Sequence, residues 1–128
     1  SAAVADYRIN KKNYNKLKKQ ENLTLNLEQN IDILRYVSNH NSMRPKLVIG
    51  FAAETSDLNN NAISKLNNKN CDWIIANDVS KKNIGFNSDY NEVTIHYKDT
   101  LNKKEKLSFK KKSEISEEIV DRITSRIN

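Results

Sequence analysis

The sequence predicts an α/β fold, a Rossmann-like three-layer arrangement with a mostly parallel sheet and a C-terminal antiparallel hairpin plus helix. The segment KLVIGFAAET, residues 46–55, is an apolar run that ends in small residues and a carboxylate, as a buried parallel strand does. A helical pattern follows Asp57, and a second apolar run at residues 72–76 completes a βαβ unit. Apolar and polar residues alternate over 93–98, which predicts an antiparallel strand paired with residues 106–110.

The first part of the chain predicts short elements and a basic loop. Residues 2–5, AAVA, are small and apolar, like the end of a buried strand. Residues 6–20 are basic and rich in asparagine, which favours a loop that is mobile or ordered by a partner. Three leucines alternate with polar residues over 23–27 and indicate a half-buried strand. Asn30 is then placed to cap a short helix over residues 31–37.

Two longer helices are predicted further along, each with an N-cap candidate and an apolar face. Asp57 can cap the first helix and Ser113 the second. In the second helix Glu118 and Arg122 have the i, i+4 spacing of a stabilising ion pair. The apolar positions are Leu58, Ala62 and Leu66 in the first helix, and Ile115, Ile119, Val120, Ile123 and Ile127 in the second. We therefore expect both helices to pack against the sheet.

Composition limits the classes of function. The chain has 128 residues and a formal net charge of +6, which fits one domain with an anionic ligand. Its lysines do not interleave with aromatic residues as a nucleic-acid surface requires, so nucleic-acid binding is the least favoured class. A nucleotide or another small phosphorylated ligand fits the charge. The single cysteine, Cys71, excludes an internal disulfide, and no apolar run has the length of a signal sequence or a membrane span.

Four segments of the chain together resemble phosphopantothenate-cysteine ligase, the ligase domain family of the bifunctional flavoproteins of the coenzyme A pathway. They are SAAVADYR at residues 1–8, KLVIGFAAET at 46–55, the helical stretch with Lys65 and Lys69, and IIANDVS with GFNSD over 74–89. The resemblance covers nearly the whole chain. It implies that residues 1–128 are the C-terminal part of a single CTP-dependent ligase domain, whose glycine-rich nucleotide-binding part lies upstream.

The resemblance also implies a reaction. CTP would activate the carboxylate of 4'-phosphopantothenate as an acyl-cytidylate with release of pyrophosphate, and the amine of cysteine would then displace CMP. Magnesium is the implied metal, and FMN is implied only where a decarboxylase domain is fused upstream. A cytoplasmic homodimer is implied, with no nucleic-acid or membrane partner, and this piece alone is expected to be inactive. The alternative is a noncatalytic nucleotide-binding or dimerisation half that needs an upstream partner segment.

Lys65 and Lys69 are four residues apart on the predicted helix, so their ammonium groups can reach one polyphosphate. From residue type alone, a solvated lysine face is the more frequent explanation. The resemblance implies instead that they hold the nucleotide. Asp6 matches the aspartate with which the family contacts cytidine, and Ala2 and Ala3 match small residues that contact the nucleotide through their backbone. A turn or cap role is the alternative for Asp6.

Three further assignments come from the resemblance. Phe51 ends the strand predicted over residues 46–51 and matches a nucleotide-contacting phenylalanine, although its residue type alone indicates a core position. Lys16, in KLKKQ, matches a lysine beside the reacting acyl phosphate, where a cation stabilises developing negative charge; a solvated loop lysine is the alternative. The segment NIDIL stands where the family has Asn-Pro-Asp-Ile-Val, and a nucleotide contact is carried over onto Ile31, Asp32, Ile33 and Leu34.

The remaining reactive side chains carry no recognisable chemistry. His40 and His96 are isolated, without the spacing of metal ligands. Cys71 lies close to Trp73 and is interpreted as a small buried hydrophobic residue, not as a nucleophile.

Overall fold

The computed structural model describes residues 4–10, 15, 18, 22–80, 88–99 and 103–128. The chain divides into two units, a smaller one at Ser1–Ile33 and a larger one at Leu34–Asn128. Among the helices that the model describes, none is long and apolar enough to cross a membrane.

The smaller unit contains a two-stranded antiparallel sheet. Strand β1 is Tyr7–Ile9 and strand β2 is Leu27–Gln29. The backbone N–H of Asn30 donates to the carbonyl of Asp6 at 2.8 Å, and so extends the pairing by one rung. An exposed ion pair between Arg8 and Glu28, 2.5 Å from Nε to Oε1, joins the two strands.

Two predictions for this unit were wrong. Val4 and Ala5 are exposed and belong to no strand, so Asp6 precedes a short antiparallel strand instead of ending a buried parallel one. The half-buried strand over 23–27 is also not formed, because only Leu27 lies in β2 and all three leucines are more than half exposed. A two-stranded ribbon of three-residue strands does not bury an apolar face by itself, so alternation alone does not predict burial.

The larger unit is built on a four-stranded sheet. Its strands are β3 (Ile49–Glu54), β4 (Trp73–Asp78), β5 (Tyr90–Tyr97) and β6 (Lys104–Lys111), in the spatial order β3-β4-β5-β6. β3 and β4 pair parallel, whereas β4–β5 and β5–β6 pair antiparallel. Three of the four strands therefore run in one direction, and β5–β6 is the predicted C-terminal hairpin.

Helices cover both faces of this sheet and complete the three predicted layers. Helix α1 is Ile33–Ser38, α2 is Leu58–Lys69 and α3 is Lys112–Ile127. Side chains of a strand alternate between faces, and β4 shows this directly. Ile74 and Ala76 pack with Ala62 and Leu66 of α2. On the opposite face, a second cluster comprises Trp73, Ile75, Val93, Ile95 and Leu107 of the sheet and Ile115 of α3.

Gly50 leaves space in which Leu34 of α1 packs on the sheet. A Cβ at this position would lie 2.6 Å from Cδ2 of Leu34 and 2.7 Å from Cδ1 of Ile74. Both distances are well inside van der Waals contact, so the glycine lets the helix side chain reach the strand.

The observed strand and helix limits differ from the predicted ones, most clearly at the starts of β3 and α1. β3 begins at Ile49 and not at residue 46, because the preceding turn is tied down by Arg44, which binds both carboxylate oxygens of Asp72. α1 begins at Ile33 and not at residue 31. Asn30 does not cap it, since the helix begins three residues later, and the side-chain amide of Asn30 donates to the carbonyl of Ala5 at 2.7 Å.

The caps and apolar faces of the longer helices are partly as predicted. Asp57 is the N-cap residue of α2, but its carboxylate accepts from the side chain of Asn60 and not from the helix backbone. α3 begins before Ser113, and the carboxylate of Glu114 accepts from the backbone N–H of Lys111 in place of the predicted cap. Ile115, Ile119 and Ile123 pack on the sheet, whereas Val120 and Ile127 are more than half exposed.

Candidate functional site

A cavity of about 560 Å³ lies along one flank of α2, beside the C-terminal end of β3. It is rich in cationic and amide side chains, and its lining residues are Arg35, Glu54, Asn61, Ser64, Lys65, Asn68 and Lys69. All of them belong to the larger unit. The cavity therefore joins residues of α1, β3 and α2 within one packed body.

The packing of α2 determines which side chains reach this cavity. Ala62 and Leu66 are buried against the sheet. Side chains three and four residues apart share a helix face, so Asn61, Lys65 and Lys69 are displaced to the flank beside the buried stripe. The apolar spacing that makes α2 a core helix thus also places both lysines on the same side of it.

Glu54 fixes the position of Lys65. The ammonium Nζ donates to Oε1 of Glu54 at 2.5 Å, and Nδ2 of Asn61 donates to Oε2 at 3.2 Å. The Glu54 side chain is only 14% exposed, whereas that of Lys65 is 44% exposed. The carboxylate is therefore largely buried and bonded, and it holds the lysine at the cavity wall.

Arg35 reaches the cavity because the C-terminal ends of α1 and α2 are bonded together. The hydroxyl of Ser38 donates to the carbonyl of Lys69, and the amide of Asn70 donates to the carbonyl of Ser38. Arg35 lies one turn before Ser38 and is exposed. This crosslink places a third cation beside Lys65 and Lys69.

The charges of the cavity favour a multiply charged anion. Three cationic side chains and one carboxylate line it, and the carboxylate is already paired with a lysine. Guanidinium and ammonium groups that converge in this way compensate the desolvation of phosphate oxygens. Amides of Asn61 and Asn68 add donors and acceptors that a sugar or base could use.

Phe51 does not belong to this site. It lies in the middle of β3 and pairs in register with Ile75, so its ring is on the face covered by α3 and not on the face of α2. Its residue is 71% exposed. The structure therefore contradicts both the placement of Phe51 at a strand end and a core role for it.

The other predicted contacts fall elsewhere or outside the described residues. Ala2, Ala3 and Lys16, like most of the predicted loop over 6–20, lie outside them. Asp6 is exposed, and a strand at Tyr7–Ile9 occupies what was predicted to be loop. In the segment NIDIL, Ile31 and Ile33 are more than half exposed and Asp32 is half-buried. Leu34 packs against the core beneath α2, which gives it a structural role.

Sequence reasoning missed Arg35, Glu54 and Asn61 as members of the site. Glu54 had a signal, since a carboxylate ending an apolar strand lies at the edge where parallel strands present side chains to a ligand. Asn61 precedes Lys65 by four residues and shares its helix face. Arg35 had no comparable signal, because nothing in the sequence shows that Ser38 bonds to the end of α2.

Comparison with known proteins identifies the family. Residues 1–127 match the model of the DNA/pantothenate metabolism flavoprotein C-terminal domain. The chain belongs to this family. The Coenzyme A biosynthesis bifunctional protein CoaBC of Bacillus subtilis is 39% identical over 126 residues, and that of Haemophilus influenzae is 40% identical over 126 residues. Each alignment covers 98% of this chain and 30% of the relative.

Two solved structures show the same fold. The crystal structure of the C-terminal domain of CoaBC superposes with a TM-score of 0.71 at 32% identity, covering 98% of this chain and 52% of that one. The DNA/pantothenate metabolism flavoprotein from Streptococcus pneumoniae superposes with a TM-score of 0.58 at 21% identity, which supports the fold alone. The chain thus spans about half of the solved domain, and its relatives are bifunctional proteins of coenzyme A biosynthesis.

Proposed function

We propose that this chain contributes the triphosphate-binding part of a CTP-dependent ligase that joins 4'-phosphopantothenate to cysteine in coenzyme A biosynthesis. The observation that carries the proposal is the cavity beside α2, where Arg35, Lys65 and Lys69 converge. Three cations suit a polyphosphate ligand better than a ligand with a single carboxylate. Several phosphate oxygens lose their water on binding, and each of them then needs a cationic partner. The pathway is inferred from family membership. The identity of the nucleotide is inferred from the resemblance of residues 46–55 and of both lysines.

The proposed chemistry has two steps. A carboxylate oxygen of 4'-phosphopantothenate attacks the α-phosphorus of CTP, the bond to the β-phosphate oxygen breaks, and pyrophosphate leaves. The amine of cysteine then attacks the acyl carbon, loses a proton and displaces CMP, which gives 4'-phosphopantothenoylcysteine. Lys65 and Lys69 would stabilise the pyrophosphate as its charge develops. Lys16 and the cytidine contacts of Ala2, Ala3 and Asp6 remain proposals from the resemblance.

Magnesium fits this cavity only as a companion of the nucleotide. Within the described part of the chain, no group of three or more histidine, cysteine, aspartate or glutamate side chains could bind a metal ion. Glu54, the carboxylate of the cavity, is bonded to Lys65 and Asn61. Phosphate oxygens and water would therefore supply most ligands of the cation. We further propose a cytoplasmic homodimer, with FMN restricted to a decarboxylase domain fused upstream.

A noncatalytic nucleotide-binding half is the second candidate. The observation in its favour is that the described site contains cations for phosphates but no side chain positioned as a general base. Binding and catalysis are therefore tested separately. A binding half would retain nucleotide affinity when supplied with phosphopantothenate and cysteine but would release no pyrophosphate, even with the rest of the domain present.

The first prediction is that the chain prefers CTP to UTP, ATP and GTP in the presence of magnesium. Isothermal titration calorimetry of the four nucleotides at equal ionic strength measures the preference. A higher affinity for CTP supports a cytidine-reading site, because all four nucleotides present the same triphosphate. Equal affinities would indicate a phosphate site without base selection and would contradict the choice of CTP.

A further inference from the structure

A second cavity, of about 310 Å³, lies on the opposite flank of α2 from Lys65 and Lys69. It opens between this helix and the β5–β6 hairpin. Asn59, Ile63, Leu66 and Asn67 line it from α2, and His96, Tyr97, Lys98, Lys103 and Lys104 line it from the hairpin. None of these residues contributes to the first cavity.

His96 is the unusual residue of this second cavity. It is 4% exposed, and its Nε2 has no hydrogen-bond partner among the residues that the model describes. Buried polar side-chain atoms are bonded in the great majority of cases, so an orphaned imidazole nitrogen requires an explanation. His96 lines the second cavity, so a molecule bound there could supply the missing partner.

The surroundings of His96 are positively charged. Lys104 lies directly opposite His96 in the β5–β6 register. Lys98 donates to the side chain of Asn70, and Lys103 lies over the ring of Tyr97 at 5.7 Å. Among the residues that the structure describes, no carboxylate lines this cavity. An anion that entered it would meet ammonium groups without competition from a protein carboxylate.

α2 contributes an apolar wall to the cavity, in addition to the charged residues of the hairpin. Ile63 is 39% exposed and Leu66 is buried, and both line the cavity. A ligand that matches the whole cavity has a charged oxygen-rich end and a short apolar body. A phosphate monoester of a small organic molecule has this combination, and its two negative charges suit several lysines better than one carboxylate does.

We propose that the cavity between α2 and the β5–β6 hairpin is a second binding site, separate from the nucleotide cavity, that takes a small organic phosphate monoester. In the bound state Nε2–H of His96 donates to a phosphate oxygen, and Lys104 faces the same phosphate. The organic part lies against Ile63 and Leu66.

Ligand binding at this site can be measured through the protonation of His96. Burial, and next the charge of Lys104, lower the pKa of His96 below its usual value. No titratable side chain of α2 lines the cavity, so the titratable groups around the imidazole in the described part of the chain are Lys98, Lys103, Lys104 and the phenol of Tyr97. A phosphate dianion beside the imidazole stabilises the charged form and raises its pKa again.

NMR titration of the two histidines tests the proposal, with n-butyl phosphate as the probe. Saturating n-butyl phosphate should raise the pKa of His96, whereas the signals of His40, which accepts from the backbone of Met43, should not move. n-Butanol at the same concentration should have no effect. Inorganic phosphate and butyrate should both bind more weakly than n-butyl phosphate. A His96 signal that does not respond in a saturable way would overturn the proposal.

Two matched variants distinguish this site from general attraction of anions. Lys104 and Lys106 are both exposed lysines on the same face of β6, but only Lys104 lines the cavity, and Lys106 pairs with Glu92 at 3.0 Å. Lys104→Ala should weaken binding of n-butyl phosphate about tenfold, as expected for one charge-assisted contact, and Lys106→Ala should not. Equal losses in both variants would refute the site. Lys65→Ala should leave this binding intact, so a failure here is separate from a failure of the nucleotide site.

Discussion

At the scale of single residues, the site depends on how one lysine is held. Lys65 is half exposed, and a lysine side chain has many rotamers. The largely buried carboxylate of Glu54 accepts a hydrogen bond from its ammonium group and restricts them. Asn61 satisfies the second carboxylate oxygen. A side chain that is pre-positioned in this way loses less conformational entropy when it binds a phosphate. In the proposed site Glu54 would therefore have two opposing effects, since it orders the lysine and would also repel an anionic ligand.

Replacing either lysine should weaken triphosphate binding while the fold persists. Lys65→Ala and Lys69→Ala should each reduce CTP affinity about tenfold, the loss expected for one charge-assisted contact. Stability should change by less than about 1 kcal/mol in Lys69→Ala, because alanine favours the helix, and should fall further in Lys65→Ala, because that variant removes an ion-pair partner of the largely buried Glu54 carboxylate. Calorimetric titration and thermal unfolding measure the two effects. Lys46→Ala removes an exposed lysine outside the cavity and is the control; an equal loss there would indicate a solvated lysine face.

Glu54→Gln should act in the opposite direction. The amide is similar in size and keeps a partner for Asn61, but it removes the negative charge that faces the ligand. We expect CTP to bind more tightly by a few-fold, as repulsion between the carboxylate and the phosphates disappears. Weaker binding in this variant would mean that ordering of Lys65 outweighs repulsion, or that the carboxylate contacts the metal ion. Calorimetry with and without magnesium separates these two causes.

At the scale of elements, α3 is joined to the hairpin by a charged cluster. Arg122 donates to both carboxylate oxygens of Glu105, with 3.0 Å between Nε and Oε2. The phenol of Tyr97 also donates to Glu105, at 2.9 Å. Burial, and next this hydrogen bond, raise the pKa of Tyr97 to about 12. The cluster therefore connects one strand, its neighbour and the helix.

The stability conferred by this cluster should depend on pH. The hydrogen bond from Arg122 lowers the pKa of Glu105 from 4.5 to about 2. A carboxyl group with a lowered folded pKa stabilises the fold above its unfolded pKa and loses this effect as pH falls through the folded value. Glu105→Gln should cost about 1 kcal/mol at pH 7, as for a favourable half-exposed pair. The cost should decrease from about pH 4.5 downwards and vanish near pH 2.

Urea unfolding of the parent chain and of Glu105→Gln between pH 7 and pH 2.5 measures this difference. Glu117→Gln is the matched control, since Glu117 is exposed on α3 and makes no ion pair within the described residues. A difference that stays constant down to pH 2.5 would show that packing, and not ionisation of Glu105, is responsible.

The elements that the sequence predicts well are those whose packing repeats along the chain. α2, α3 and strands β3 to β6 follow apolar periodicities that the sheet then buries, and their type was confirmed. Their ends were less predictable, because side chains from distant positions decide them, as Arg44 and Asp72 do before β3. Ser113 and Asn30 are good cap residues that do not cap, since α3 begins one residue before Ser113 and α1 begins three residues after Asn30.

At the scale of the whole molecule, the family and the layer order could be predicted, but the composition of the site could not. Lys65 and Lys69 were predicted as site residues from the helix period and from the resemblance, and the structure brings both to one cavity. Arg35 joins them only through the tertiary bond of Ser38 to α2. Phe51 was misplaced because the strand extends three residues beyond it, to Glu54. A cavity is formed by elements that are distant in sequence, and periodicity within one element cannot reveal it.

The final prediction concerns activity. This chain spans about half of the solved C-terminal domain of CoaBC, and its described site contains cations for phosphates without a group placed to direct attack on the α-phosphorus. Removal of one donor that stabilises developing charge typically lowers a rate about 100-fold or more. We therefore expect the 128-residue chain alone to release pyrophosphate from CTP, 4'-phosphopantothenate and cysteine at close to the background rate.

A coupled pyrophosphate assay measures this rate, with CTP binding monitored on the same sample so that an unfolded preparation is not mistaken for an inactive one. Supplying the remainder of the domain from the Bacillus subtilis relative, fused upstream or added in trans, should restore pyrophosphate release. Lys65→Ala should suppress the restored rate, and Lys46→Ala should not. Full turnover by the chain alone would show that the groups needed for catalysis already lie within these 128 residues, and the division between phosphate binding and catalysis would then be wrong.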